Sequence, residues 1–221
     1  MLTFNTNKMA KIYFFGGEDV KKRSSIKINR EAFKDAGDNP RILLFLWTSE
    51  DKRKIEKYRK FLSKYFYDIG AKEITLAHTY DSVDEILRKL DSSDLVYLPG
   101  GLPKIFMKYA VTKNLSNLLS TYRKVIVGNS AGAMVLCKEF IITKDKDHPN
   151  TEIIPGLGLV DFSINVHYDT SKDNELKKLS IGRKIYALPE NCAMKYNKDT
   201  NEFKFFGNVY LFENGNKKKL N

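Results

Sequence analysis

The sequence predicts an α/β protein: a doubly wound, mostly parallel sheet with helices on both faces and a small antiparallel meander at the C-terminus. Three observations predict it. Short apolar runs alternate with stretches of helical periodicity from Lys11 to Gly128. Several of those runs are apolar on consecutive positions, the pattern of strands covered on both faces and therefore parallel. One run, Val125-Ile-Val127, stops at a glycine and is followed by small residues that open a helix.

The elements follow in order. Residues 1–10 are polar and lack the apolar segment of a secretory signal, so they read as a loose extension. Strands are expected at 11–15, 41–47, 73–77, 95–98 and 124–127. A helix over 51–69 places Ile55, Tyr58, Leu62, Phe66 and Ile69 on one face. A second, over 82–90, repeats the theme with Val83, Ile86, Leu87 and Leu90, and Ser82 with Glu85 forms a capping box. Helices at 104–110 and 115–122 fill the next crossover. Beyond them, short strands at 140–143, 152–154, 163–167 and 184–188 surround one helix at 173–181. The meander comprises 193–196, 202–206 and 209–212, and Asn214-Gly215 marks a final hairpin turn. With no linker, repeat or low-complexity block, residues 1–221 read as one domain.

Composition narrows the function classes. The chain has 221 residues, 42% of them hydrophobic, enough to build a core without staples. Its two cysteines, Cys137 and Cys192, lie in apolar stretches and read as buried free thiols, which suits a reducing cytoplasm. No apolar run approaches the ~20 residues of a membrane span. The net charge is +11 and the pI about 9.4. The basic residues lie in separate clusters with no nucleic-acid-binding motif beside them, so neither nucleic acid nor membrane is an expected partner. The edge of the meander offers a surface through which two chains can pair as a homodimer.

Chemistry concentrates at Gly128-Asn-Ser-Ala-Gly132. A Gly-x-Ser-x-Gly frame between an apolar strand and a small-residue helix is the pattern of a nucleophile elbow, which exposes the Ser130 hydroxyl at the sheet edge. The Ala131 N–H then lies at a helix start, aimed where an oxyanion forms. A serine needs a base, and the chain offers His78, His148 and His167. His167 closes a predicted strand at the carboxyl edge of the sheet, where open α/β folds bind ligands. The downstream acids are Asp145, Asp161, Asp169 and Glu190; Glu190, in Leu188-Pro-Glu190, shares that edge with His167. A second oxyanion donor is available at Gly100-Gly101, where a strand runs into bare backbone.

These motifs together resemble the dipeptidase E and cyanophycinase family of serine peptidases. The resemblance rests on Tyr97-Leu-Pro-Gly-Gly101, Gly128-Asn-Ser-Ala-Gly-Ala133, His167-Tyr168 and Leu188-Pro-Glu190, and spans most of the chain. It implies the class I glutamine amidotransferase-like fold, Ser130 as nucleophile, His167 as base, and Gly100 or Gly101 with Ala131 as oxyanion donors. It implies Glu190 as the acid, with Asp145 as the alternative, and a short peptide substrate. It implies neither metal nor organic cofactor. Two features depart from the family pattern. Leu102 stands where the glycine-rich loop usually continues with asparagine, and the segment after His167 has no arginine before Arg183. An esterase, a cysteine-type glutaminase and a non-catalytic binding protein on the same scaffold are the competing readings. The first orders its triad differently, the second needs cysteine at position 130, and the third is motivated by the two departures.

Overall fold

The computed structural model describes residues 10–144 and 149–221. Its first half alternates β1 (Lys11–Phe15), α1 (Ile26–Ala36), β2 (Arg41–Leu44), α2 (Lys52–Asp68), β3 (Glu73–Leu76), α3 (Val83–Ser92) and β4 (Leu95–Leu98). Two helices follow, α4 (Pro103–Thr112) and α5 (Leu115–Thr121), then β5 (Val125–Asn129) and the short α6 (Ala131–Val135). The five strands pair in parallel in the order β1-β5-β4-β2-β3.

Burial on both faces explains why these strands carry consecutive apolar residues. Ile12, Phe14, Leu43, Val96 and Ile126 pack on one side against Ile86, Phe106 and Leu119 of α3 to α5. Tyr13, Phe15, Ile42, Tyr97 and Val127 face the other side, against Phe33, Leu62 and Phe66 of α1 and α2. Neighbouring residues of one strand thus enter separate cores. Local signals set the helix starts. The Ser82–Glu85 capping box forms as expected, and the Asp51 side chain accepts from the Arg53 and Lys54 N–H groups. Helix α1 was not evident in the sequence. Its buried face is Ile28, Asn29, Ala32 and Phe33, with a polar residue in the stripe and no side-chain N-cap.

The N-terminal edge of the sheet carries an ion pair. Arg41 grips Asp94 through Nε at 2.9 Å and Nη2 at 3.0 Å, and its backbone N–H donates to the same carboxylate. The Arg41 hydrogen bonds hold the Asp94 carboxyl well below the usual range. A carboxyl depressed on folding stabilises the native state above its ordinary value, and that contribution fades as pH falls. Asp94→Asn is therefore expected to flatten the loss of stability below about pH 4, read from urea midpoints. An acid limb unchanged from wild type would contradict this.

The second half adds β6 (Glu139–Ile142) and β7 (Glu152–Pro155), which form a ribbon, then β8 (Ser163–Val166), α7 (Asp173–Leu179) and β9 (Lys184–Leu188). The last strands are β10 (Ala193–Asn197), β11 (Glu202–Phe206), β12 (Tyr210–Glu213) and β13 (Asn216–Lys219). They are antiparallel, as predicted, but they do not form one meander. β10 and β11 extend the main sheet beyond β1, covering what would otherwise be its open edge. β12 and β13 join β9 and β8 in a separate four-stranded sheet. The Asn214-Gly215 turn joins β12 to β13 with both residues at positive φ, 49° and 80°. Of the predicted N-terminal extension, residues 1–9 lie outside the described residues, and Ala10 is buried. Cys137 and Cys192 are buried free thiols.

Candidate active site

The elbow forms where β5 meets α6. Ser130 sits at φ 51° and ψ −114°, a conformation that costs a side-chain-bearing residue on the order of 1–3 kcal/mol. Backbone bonds hold it there: the Ser130 N–H donates to Phe15 O at 3.0 Å and the Gly132 N–H to Pro99 O at 3.0 Å. A Cβ on Gly132 would lie 2.8 Å from the Leu98 Cβ and closer still to its backbone, so only glycine lets α6 approach β4.

Two parallel strands deliver the partners. β8 and β9 pair with Val166 opposite Leu188, so the residues that follow each leave at the same end. His167 is the first residue past β8, at φ 48°, and Glu190 comes two residues after β9. Ser130 Oγ lies 2.7 Å from His167 Nε2, and His167 Nδ1 meets Glu190 Oε1 in a short hydrogen bond. With the carboxylate accepting from Nδ1–H, Nε2 presents its lone pair to the Ser130 hydroxyl. The site is open: the His167 and Glu190 side chains are 47% and 55% exposed.

The end of β1 ties these three segments together. The carbonyls of Phe15, Gly16 and Gly17 accept, in turn, from the N–H groups of Ser130 (3.0 Å), His167 (2.8 Å) and Asn191 (3.0 Å). A Cβ on Gly17 would lie 2.6 Å from His167 Cε1 and 2.7 Å from Glu190 Cδ. Gly17→Ala is therefore expected to fold yet displace the imidazole, lowering kcat about 100-fold, the typical penalty for a misplacement near 1 Å. Wild-type kcat in the variant would refute the close packing. Sequence reading missed this Gly-Gly pair, although it ends a strand just as Gly100-Gly101 does.

The Gly100-Gly101 loop lies against the serine. A Cβ on Gly100 would sit 3.4 Å from Ser130 Cβ. Thr48 pins the loop, its Oγ1 donating to Gly100 O at 2.8 Å and its carbonyl accepting from the Leu102 N–H at 3.0 Å. Among the described residues, the N–H groups of Gly101 and Ala131 have no protein acceptor, so both are available to an incoming oxyanion.

The other sequence candidates fall elsewhere. Asp145 and His148 lie outside the described residues. His78 stacks on Tyr80, and Asp169 caps the turn at 170–172 by accepting from the Ser171 N–H. Neither lines the cavities around Ser130. Among the described residues, no group of three or more His, Cys, Asp or Glu side chains is arranged to hold a metal ion. None of the helices described is long and apolar enough to cross a membrane.

Ser130 lines two cavities of different character. One, of about 560 Å³, is lined by Glu18, Asp19, Lys22, Tyr58 and the triad itself. The other, of about 200 Å³, is lined by Met134, Ile141, Ile142, Val166 and Lys172. Beyond the Gly100-Gly101 loop a third, of about 430 Å³, is walled by Leu46, Ile55, Tyr58 and Leu102. Tyr58, read from the sequence as a core residue of its helix, thus faces the cleft. Burial pushes its hydroxyl up to about 12.

A doubly wound sheet bearing a hydrogen-bonded Ser-His-carboxylate line at a strand-to-helix elbow defines a class, the α/β proteins with a serine placed beside an imidazole at the sheet's carboxyl edge. Within it the chain belongs to peptidase family S51, whose sequence profile matches residues 13–203. A peptidase from an acI-B1 Actinobacterium has a similar structure, with a TM-score of 0.78 at 16% identity over 99% of this chain and 97% of that one. A Listeria monocytogenes EGD-e protein described as a peptidase E candidate gives 0.68 at 19% identity, over 90% and 98% of the two chains. No curated protein sequence matches.

Proposed function

We propose that the chain is a serine-type peptidase that cleaves short peptides through an acyl-enzyme, with Ser130, His167 and Glu190 as its triad. The observation that carries this reading is the continuous hydrogen-bonded line from Ser130 Oγ through both imidazole nitrogens to Glu190. Ser130 attacks the scissile carbonyl as His167 takes its proton. The Gly101 and Ala131 N–H groups hold the tetrahedral oxyanion, each worth about 3 kcal/mol of barrier. Collapse breaks the C–N bond, and His167 returns its proton to the leaving amine. Water, deprotonated by the same imidazole, then releases the acid product.

The cavities that Ser130 lines suit a few residues of substrate, and the dispersed positive charge supports a small peptide partner rather than nucleic acid. A fluorophosphonate probe tests the nucleophile. Labelling confined to Ser130 supports the reading. An unlabelled, folded protein would point instead to a binding protein on the same scaffold, and turnover of p-nitrophenyl esters without peptides to an esterase.

A further inference from the structure

Glu18 follows directly on the glycine that packs against His167 and Glu190, and it lines the same cavity as Ser130. Its carboxylate is held in place by three donors. Tyr65 Oη donates to Oε1 at 2.8 Å, Asn29 Nδ2 to Oε2 at 3.0 Å, and the Ser25 N–H to Oε1 at 3.3 Å. All three are neutral. Among the described residues no lysine, arginine or histidine pairs with Glu18. The basic side chains nearby are engaged elsewhere, Lys22 with Asp19 at 3.5 Å and Arg23 with Asp68. The other acid of the cavity, Asp19, accepts from the Lys21 and Lys22 N–H groups of its own turn.

A carboxylate withdrawn from water without a counter-ion is unfavourable, and proteins seldom retain one that is not paired. Burial pushes the Glu18 carboxyl above its usual range, against the pull of its three donors. Oε2 accepts a single hydrogen bond and has lone-pair capacity left for another donor. Among the described residues, the second cavity beside Ser130 is lined by Lys172 and by no acid. Of the charged side chains described, Glu18, Asp19, Lys22 and Glu190 line the first cavity and Lys172 the second.

We propose that Glu18 is a specificity residue that receives a cationic amine of the peptide substrate. The inference rests on the peptidase reading of the site and deepens it. The amine completes the carboxylate's hydrogen bonding and supplies the missing positive charge. It orients the peptide with its cationic end on the Glu18 side of Ser130 and its anionic end towards Lys172. The same negative wall disfavours an acidic side chain at that position. The amine is either the α-ammonium of a substrate N-terminus or the side chain of a lysine or arginine, and Glu18 reads both through one interaction.

A panel of Xaa-Ala dipeptides, each free and N-acetylated, tests this. Wild type is expected to hydrolyse the free peptides about 30-fold more efficiently than the acetylated ones, the scale of one charge-assisted hydrogen bond. Efficient cleavage of acetylated Lys-Ala and Arg-Ala alone would assign the amine to the side chain and support the same contact. Glu18→Gln should bring free and acetylated rates within about threefold of each other while its fluorophosphonate labelling rate stays at the wild-type value, since the probe carries no amine. Glu31→Gln, an equal loss of charge at a residue paired with Lys204 outside the cleft, should keep the discrimination. Discrimination retained in Glu18→Gln, or wild-type cleavage of acetylated peptides regardless of side chain, would overturn the proposal and leave the peptidase reading standing. If wild type neither labels nor hydrolyses, the peptidase reading falls by itself. Calorimetric binding of the same panel then decides Glu18: amine-dependent binding sustains it, and binding that ignores the amine, or no binding, overturns it. Absence of wild-type discrimination overturns the proposal even if Glu18→Gln fails to fold.

Discussion

Ser130→Ala is expected to lower peptide turnover by about 10⁴-fold or more, since loss of the nucleophile removes the covalent route and leaves only binding and oxyanion stabilisation. The fold should survive. Alanine tolerates φ 51° no worse than serine, the backbone bonds from residues 130 and 132 remain, and only the hydroxyl's bond to His167 is lost. That bond lies at an open surface, so the stability change should stay within about 1 kcal/mol. Thermal unfolding close to wild type together with abolished hydrolysis is the expected pair of results. A variant that unfolds normally and still turns over at the wild-type rate would remove Ser130 from the chemistry.

Glu190→Gln is expected to cost about 10³- to 10⁴-fold in kcat. The amide can present its NH₂ to His167 Nδ1, which turns the imidazole to the tautomer whose Nε2 carries a proton and cannot accept one from Ser130. It also withdraws the negative charge that stabilises the imidazolium. Half-exposure of both side chains lets water offset part of that charge loss, which favours the lower end of the range. Asp145→Asn, made alongside, should remain within about threefold of wild type. The reverse pattern, a collapse in Asp145→Asn and near-normal rates in Glu190→Gln, would transfer the role to Asp145. The pH profiles of kcat for the two variants provide a second reading, because only the residue that holds the imidazole should shift the limb due to His167.

The parts of the site that were legible in the sequence are those encoded locally. Strand, turn and helix around Ser130 occupy one continuous stretch, and the glycines that allow its close packing flank it. His167 was legible because so few histidines compete and because it ends a strand. Glu190 was legible because strand and proline place it at the same edge. What escaped depends on partners distant in the chain. Nothing near Phe15-Gly16-Gly17 signals that Ser130, His167 and Asn191 will dock on their backbone carbonyls. Tyr58 shares its apolar stripe with true core residues, and its exposure to the cleft depends on the Gly100-Gly101 loop passing beside it. The C-terminal strands alternate correctly, but which sheet each joins is settled by long-range pairing with β1 or β9.

The suspension of three segments from the end of β1 has a consequence for when the enzyme can act. Its hydrogen bonds link residues 15 to 17 with residues 130, 167 and 191, some of the most distant pairings in the chain. Such contacts form late, after the entropy of closing long loops has been met. A chain in which these pairings have not yet formed therefore lacks the contacts that bring the serine, the imidazole and the carboxylate together. Release of the four-stranded sheet from β1 would likewise part His167 and Glu190 from Ser130. The line from Ser130 through His167 to Glu190 is thus complete only when all three segments have docked on β1.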